Sequence, residues 1–131
     1  IGVEIDPVII DVGKKYFQLG GVKNLEIIIA DAAGLINNES MKQWNNQLFD
    51  LIIVDLYKGF FIEKNVENKQ FLQKIAQTLT KNGFVIFNVI TSQNANFEAK
   101  HFLDKLQRIF KDNFGKRIIS NDFFFCSNAS H

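Results

Sequence analysis

Runs of consecutive apolar residues alternate along this chain with segments in which apolar residues recur every three or four positions. Residues 51–54 are apolar at four successive positions, with Asp50 before them and Asp55 after them. A strand without a polar face belongs inside a parallel sheet that is covered on both sides. Ligands of such sheets bind just beyond the carboxyl ends of the strands. Asp55 is therefore predicted either to cap the following turn or to belong to a ligand site.

Helical patterns separate these apolar runs. Asp6 and Pro7 predict the start of a helix, because Asp caps free N–H groups and proline needs no N–H at the first helical position. Gly20 and Gly21 are predicted to end this helix. Its inward apolar face is expected at Val8, Ile9, Val12 and Tyr16. Further helices are predicted over residues 32–36, 68–79 and 97–110, with a helical turn at 41–44. Apolar spacing places Phe71 inward in the second of these helices and Phe102 inward in the third.

Six strands are predicted, and their order sets the fold class. They cover residues 1–6, 25–30, 49–55, 84–89, 117–120 and 123–127. Asn82-Gly83 is predicted to stop the helix before the fourth strand, residues 57–66 to form a loop, and Asn121-Asp122 to form the last turn. Alternating strands and helices followed by a hairpin predict an α/β fold, with a doubly wound, mostly parallel sheet and a C-terminal antiparallel hairpin.

Length and charge narrow the class of protein. The 131 residues suit a single domain, and 15 basic against 14 acidic residues give a net charge of +1. That balance gives no electrostatic reason to expect nucleic acid or a membrane surface as partner. No apolar run approaches the ~18 residues of a membrane span, and the single cysteine, Cys126, fits a reducing cytoplasm, where we predict the protein to be. His101 lies in a predicted helix without other ligands at metal-binding spacing, so no metal site is predicted.

Three acidic residues, Glu4, Asp31 and Asp55, end predicted strands. A carboxylate at that place accepts hydrogen bonds from the vicinal hydroxyls of a ribose, and a second one could accept from an adenine amino group. Each acid alone could equally cap a turn or a helix. Together they favour a nucleoside site with a further carboxylate near the reacting end.

Four sequence blocks resemble a known family. They are GVEIDP at residues 2–7, ADA at 30–32, FDLIIVD at 49–55 and NGFVI at 82–86. In order and spacing they are similar to the spermidine synthase family and, more broadly, to the class I S-adenosylmethionine-dependent methyltransferase fold. The resemblance implies a Rossmann-like sheet that binds S-adenosylmethionine, or its decarboxylated form, as a co-substrate.

The resemblance also implies roles for single residues. Glu4, with Ile5 beside it, would hold the ribose, while Asp31 and the backbone of Ala32 would read the adenine. Asp55 would lie beside the attacking amine, accept its hydrogen bonds and assist its deprotonation. The implied reaction is transfer of an aminopropyl-type alkyl group to a small-molecule nucleophile.

Three departures from the family pattern keep other functions open. The glycine-rich loop after the first strand is absent, so we expect a domain truncated at its N-terminus with its first strand missing. Lys58 stands where aminopropyl-transferring members carry another acid, and the closing hairpin is short. The alternatives are a small-molecule methyltransferase and a non-catalytic nucleoside-binding or structural domain. The acceptor is not identified, and a homodimer is left open.

Overall fold

A computed structural model describes residues 1–37, 47–58, 61–62, 64–90, 95–118 and 121–128. The predicted turn at 41–44 lies outside these residues. The chain divides into two compact units, residues 1–42 and 43–131. That the two belong to one domain stays a prediction.

The first unit is a β-α-β-α arrangement. Strand β1 (Gly2–Glu4) leads into helix α1 (Pro7–Tyr16), and β2 (Ile27–Ile29) leads into the short helix α2 (Ala32–Asn37). Strands β1 and β2 pair in parallel to form a two-stranded sheet. Helix α1 begins as predicted: Asp6 is the N-cap, and its carboxylate accepts a hydrogen bond from Val8 N at 2.8 Å.

Two predictions about α1 are wrong. The helix ends at Tyr16, and Gly20-Gly21 lies in a separate 3₁₀ turn, Leu19–Gly21. Gln18 takes the left-handed conformation (φ 57°) that was expected of a glycine after the helix. The predicted inward face is exposed: Val8 by 61%, Ile9 by 53% and Tyr16 by 63%. Ile10 is the buried position instead.

The second unit contains a four-stranded mixed sheet. Its strands are β3 (Phe49–Val54), β6 (Leu79–Ile90), β7 (Asp112–Ile118) and β8 (Asn121–Ser127), in the order β3-β6-β8-β7. Strands β3 and β6 are parallel, whereas β8 pairs antiparallel with both β6 and β7. The predicted α/β class and the C-terminal antiparallel hairpin are thus confirmed. A small hairpin of β4 (Tyr57–Lys58) and β5 (Phe61–Ile62) replaces part of the loop predicted at 57–66.

Two helices supply the core beside this sheet. Helix α3 (Lys69–Gln77) buries Phe71, Leu72 and Ile75, and α4 (Ala95–Gln107) buries Phe102 and Leu106, all at 1% exposure or less. Phe102 meets Phe87 of β6 and Phe124 of β8 edge to face, with ring centroids 5.4 and 5.8 Å apart. These contacts hold α4 against β6 and β8.

Two predicted turns of this unit are strand residues. Asn82-Gly83 lies within β6, because α3 has already ended at Gln77, where the Thr78 hydroxyl donates to the carbonyl of Ile75 at 2.8 Å. Asn121 and Asp122 begin β8, and residues 119–120, outside the described residues, connect it to β7.

Side-chain partners explain why Asn121-Asp122 is not a turn. Asp122 is 7% exposed and accepts two hydrogen bonds of 2.7 Å from Arg117 of the paired strand β7. These bonds raise the pKa of the Arg117 guanidinium further. A turn prediction assumes that Asn and Asp bond to their own backbone, whereas here they bond across the sheet.

Candidate functional site

The register of β1 and β2 places two of the predicted cofactor residues at one edge of the sheet. Glu4 lies opposite Ile29, and Ala30 N donates to the carbonyl of Glu4 at 3.0 Å. Both strands run in the same direction, so their carboxyl ends lie side by side. Asp31 follows β2 by two residues and is therefore at the same edge as Glu4.

The Glu4 carboxylate is oriented by the turn that follows it. Its Oε1 accepts a hydrogen bond from Asp6 N at 2.9 Å, while Asp6 caps α1. An ionised carboxylate offers about four acceptor positions. Glu4 therefore retains acceptor capacity for two hydroxyl donors while the bond to Asp6 N holds its direction.

Asp31 caps a helix, as the alternative interpretation of its position predicted. Its Oδ1 accepts from Ala33 N at 3.1 Å, and its Oδ2 accepts from Gly34 N at 3.2 Å. Each oxygen uses one of its two lone pairs in this way. Capping and ligand binding are thus compatible, and the two N–H groups fix the carboxylate.

Ile5 and Ala32 flank the two acids. The Ile5 side chain is 66% exposed, directly after Glu4 in the loop between β1 and α1. Ala32 is the first residue of α2, where backbone N–H groups lack partners inside the helix. An exposed apolar side chain and the first amide of a helix at the same sheet edge suit an aromatic ring with polar edges.

Asp55 lies in the second unit, at the residue after β3. Its Oδ1 accepts a hydrogen bond of 2.9 Å from Nδ2 of Asn88 on β6. The parallel register explains this contact, since Val54 pairs with Phe87 and the next residue of each strand is therefore adjacent. Asp55 is solvent-exposed.

Tyr57 completes the strand ladder where β3 has ended. Its hydroxyl donates to the carbonyl of Asn88 at 2.5 Å and accepts from Ile90 N at 2.6 Å. In a parallel ladder one backbone residue makes this pair of bonds with the neighbouring strand. Burial, partly offset by the bond from Ile90 and reinforced by the charge of Asp55, raises the pKa of Tyr57 to about 12. The hydroxyl thus stays protonated near neutral pH and holds the backbone at Asn88.

An apolar crevice opens beside Asn88. Leu56, Val66 and Phe102 are among the residues that line it. Val66 and Phe102 are almost completely buried, at 2% and 1% exposure. Asn88 also lines this crevice, and its amide bonds to Asp55.

The remaining sequence candidates carry no chemistry in the described part of the chain. The backbone of Lys58 lies in β4, and its side chain and Trp44 lie outside what the structure describes. Cys126 is 1% exposed, and burial, followed by the charge of Asp112, raises the pKa of its thiol to about 12, as expected of a packed residue. Among the described residues no group of His, Cys, Asp and Glu is arranged to hold a metal ion, and no helix is long and apolar enough to cross a membrane.

Sequence reasoning missed Asn88 and its neighbour Asn121. A signal for Asn88 was present, because it is the one polar residue in the otherwise apolar run 84–90. Its place, one residue beyond the strand position opposite Val54, needed the register of β3 and β6. Asn121 gave no such signal, because an Asn-Asp pair between two strands ordinarily indicates a turn.

Comparison with protein families decides where this chain belongs. The model of the spermine/spermidine synthase domain matches residues 1–120. The chain belongs to this family. A polyamine aminopropyltransferase from Vibrio vulnificus is 28% identical over 90 residues, which are 69% of this chain and 29% of that protein.

Solved structures share the fold of this chain. Human methyltransferase-like protein 13, solved in complex with SAH, is 25% identical, with a TM-score of 0.78 over 95% of this chain and 59% of that one. A probable spermidine synthase from Corynebacterium glutamicum is 16% identical, with a TM-score of 0.79 over 98% of this chain and 47% of that one. This spermidine synthase-like chain therefore spans under a third of the curated relative and about half of these structures.

Proposed function

We propose that this spermidine synthase-like domain binds S-adenosylmethionine or its decarboxylated form and transfers an aminopropyl-type alkyl group to a small nucleophile. The observation that carries the proposal is the parallel pairing of β1 with β2, which brings Glu4 and Asp31 to one sheet edge. Family membership supports the reaction class. The human relative solved with SAH supports an adenosyl-type ligand.

The residues at this edge fit an adenosine group. Glu4 would accept hydrogen bonds from the two ribose hydroxyls, and Asp31 would accept one from the adenine amino group, while Ile5 and the Ala32 amide would flank the base. When bound, the co-substrate would supply an electrophilic carbon next to its sulfonium. Asp55 would orient the acceptor and take up its proton, which is the work of a positioned general base.

Calorimetry with a Glu4→Ala variant tests the adenosine assignment. Loss of two hydrogen bonds to a charged acceptor should weaken binding of S-adenosylmethionine or methylthioadenosine by roughly 2–4 kcal/mol. Glu26→Ala is the matched control, because Glu26 is an exposed glutamate just before β2, at the opposite end of the same sheet. Equal affinities of both variants, at unchanged thermal stability, would remove Glu4 from the site.

The identity of residue 58 favours methyl transfer to a small molecule as the second candidate function. A polyamine acceptor such as putrescine is a dication, and Lys58 would add a like charge that costs about 1–4 kcal/mol at ~4 Å. Lys58→Asp should therefore raise aminopropyl transfer to putrescine, whereas Lys111→Asp, the same charge change at an exposed site after α4, should not.

Product analysis separates the three functions. Wild-type spermidine formation that Lys58→Asp does not improve would contradict the charge argument. Methylated product with no aminopropyl transfer would favour the methyltransferase. Binding of the nucleoside without transfer to any tested amine or hydroxyl acceptor would favour a non-catalytic domain.

A further inference from the structure

Asp55 is one end of a line of three side chains that crosses the sheet of the second unit. Asn88 Nδ2 donates to Asp55 Oδ1 at 2.9 Å, and Asn121 Nδ2 donates to Asn88 Oδ1 at 2.7 Å. The three residues come from the end of β3, from β6 and from β8. Asp55, which follows its strand, is thereby bonded to β6 directly and to β8 through Asn88.

The strand register accounts for the second link. Asn88 lies opposite Phe123, and Asn121 lies opposite Ile90, so Asn88 and Asn121 are diagonal neighbours on one face of the antiparallel pair. Both asparagines are half-buried. Their amides therefore meet on the sheet surface that leads to Asp55.

The charge of Asp55 fixes the direction of both amides. An ionised carboxylate can only accept hydrogen bonds, so Asn88 must turn its NH₂ group toward Asp55. The carbonyl oxygen of Asn88 then faces Asn121, which must in turn present its own NH₂ group. Reversal of either amide would place two acceptors or two donors against each other.

We propose that Asn88 and Asn121 are positioning residues for Asp55, occupying Oδ1 so that Oδ2 is the atom that meets the acceptor. The proposal rests on the proposed function of alkyl transfer. As the acceptor nitrogen forms its bond to carbon, the carbon–sulfur bond breaks, the electron pair stays on sulfur, and a proton leaves nitrogen for Oδ2. Oδ1 then becomes a carbonyl oxygen that still accepts from Asn88, so the line of amides needs no rearrangement.

A nuclear magnetic resonance experiment on the native chain tests the positioning without any reaction. The ¹⁵N–¹H signals of the Asn88 and Asn121 side-chain amides should both move in an Asp55→Ala variant. Asp50→Ala is the matched control, because Asp50 is likewise a carboxylate bonded to β6, but it lies at the other end of β3 and accepts from Thr80 at 2.8 Å. An Asn121 signal that is unmoved by Asp55→Ala, or moved equally by Asp50→Ala, would overturn the proposal.

Kinetic measurements on variants are the second test of the positioning role. Asn121→Asp keeps the shape of the side chain and removes both N–H donors of the amide. Asn88 then loses the hydrogen bond that orients it, and Asp55 is no longer held in one direction. We expect kcat to fall about 10- to 100-fold, as for a small misplacement of a catalytic group, with KM for the sulfonium co-substrate unchanged. Thr80→Val, which removes the hydrogen bond to Asp50 between the same two strands, should leave both parameters unchanged.

The two tests distinguish this proposal from the function on which it rests. A rise in KM without a fall in kcat, or an unchanged kcat, in Asn121→Asp would overturn the positioning role. If the wild-type protein transfers no alkyl group to any acceptor, the proposed function fails. The amide signals still decide in that case whether Asn88 and Asn121 hold Asp55.

Discussion

Replacement of Phe102 by alanine should remove the central contact between helix α4 and the sheet. The ring is 1% exposed and meets Phe87 and Phe124 edge to face at 5.4 and 5.8 Å. A buried Phe→Ala change costs about 3–5 kcal/mol through lost apolar burial and the cavity that remains. Each aromatic pair accounts for about 0.5–1.5 kcal/mol beyond burial. Since domains are stable by only about 5–15 kcal/mol, this is a large fraction.

Urea unfolding followed by circular dichroism measures this loss, with thermal unfolding as a second probe. For a chain of this length we expect the Phe102→Ala variant to have a thermal unfolding midpoint roughly 10–18 °C below that of the wild-type protein. Phe114→Ala is the matched control, because Phe114 is 58% exposed and stacks on Phe125 at the edge of the sheet. We expect that change to cost about 1 kcal/mol or less. Equal losses in the two variants would refute the idea that α4 is held chiefly through Phe102.

Three further outcomes are expected. Gly83→Ala should cost about 1–3 kcal/mol of unfolding free energy, because a Cβ would lie 2.6 Å from the carbonyl oxygen of Phe49, and an unchanged urea midpoint would contradict that close approach. The free energy of unfolding should fall between about pH 9 and pH 12, because folding raises the pKa values of Cys126 and Tyr57 to about 12 and the unfolded chain loses these protons first. A Cys126→Ala, Tyr57→Phe double variant should show a shallower fall in urea titrations, and an identical slope would be inconsistent with this cause. Ile53→Lys should reduce self-association in analytical ultracentrifugation, because Ile53 is 65% exposed on β3, which pairs with β6 alone in the described sheet; a monomeric wild-type chain would argue against it.

The predicted starts of α1 and α3 are confirmed, because they depend on neighbours in sequence. Asp6 caps α1 through Val8 N, two residues away, and Asn68 caps α3 through Gln70 N in the same way. Apolar periodicity likewise identified Phe71 and Phe102 as buried. It failed for α1, whose apolar stripe is exposed, because periodicity shows which face is apolar and not whether another element covers it.

The candidate site was predictable in its strand-ending acids and not in their partners. An acid after an apolar run can be read directly from the residues, which gave Glu4, Asp31 and Asp55. The hydrogen bonds that orient Asp55 join residues 33 positions apart in both links, so they depend on how three strands are aligned. No local pattern contains that alignment.

The sequence by itself determined the α/β class, the family and the residues at which strands give way to helices, because apolar period and capping are local properties. The tertiary structure decided that Asn121 and Asp122 are strand residues, although the sequence alone predicted a turn there. Asn121 donates to Asn88 of the paired strand β6, and Asp122 accepts from Arg117 of the paired strand β7. These hydrogen bonds across the sheet replace those that a turn would have made with its own backbone. The strand register, which no short segment encodes, thus places Asn88 beside Asp55 and Asn121 beside Asn88.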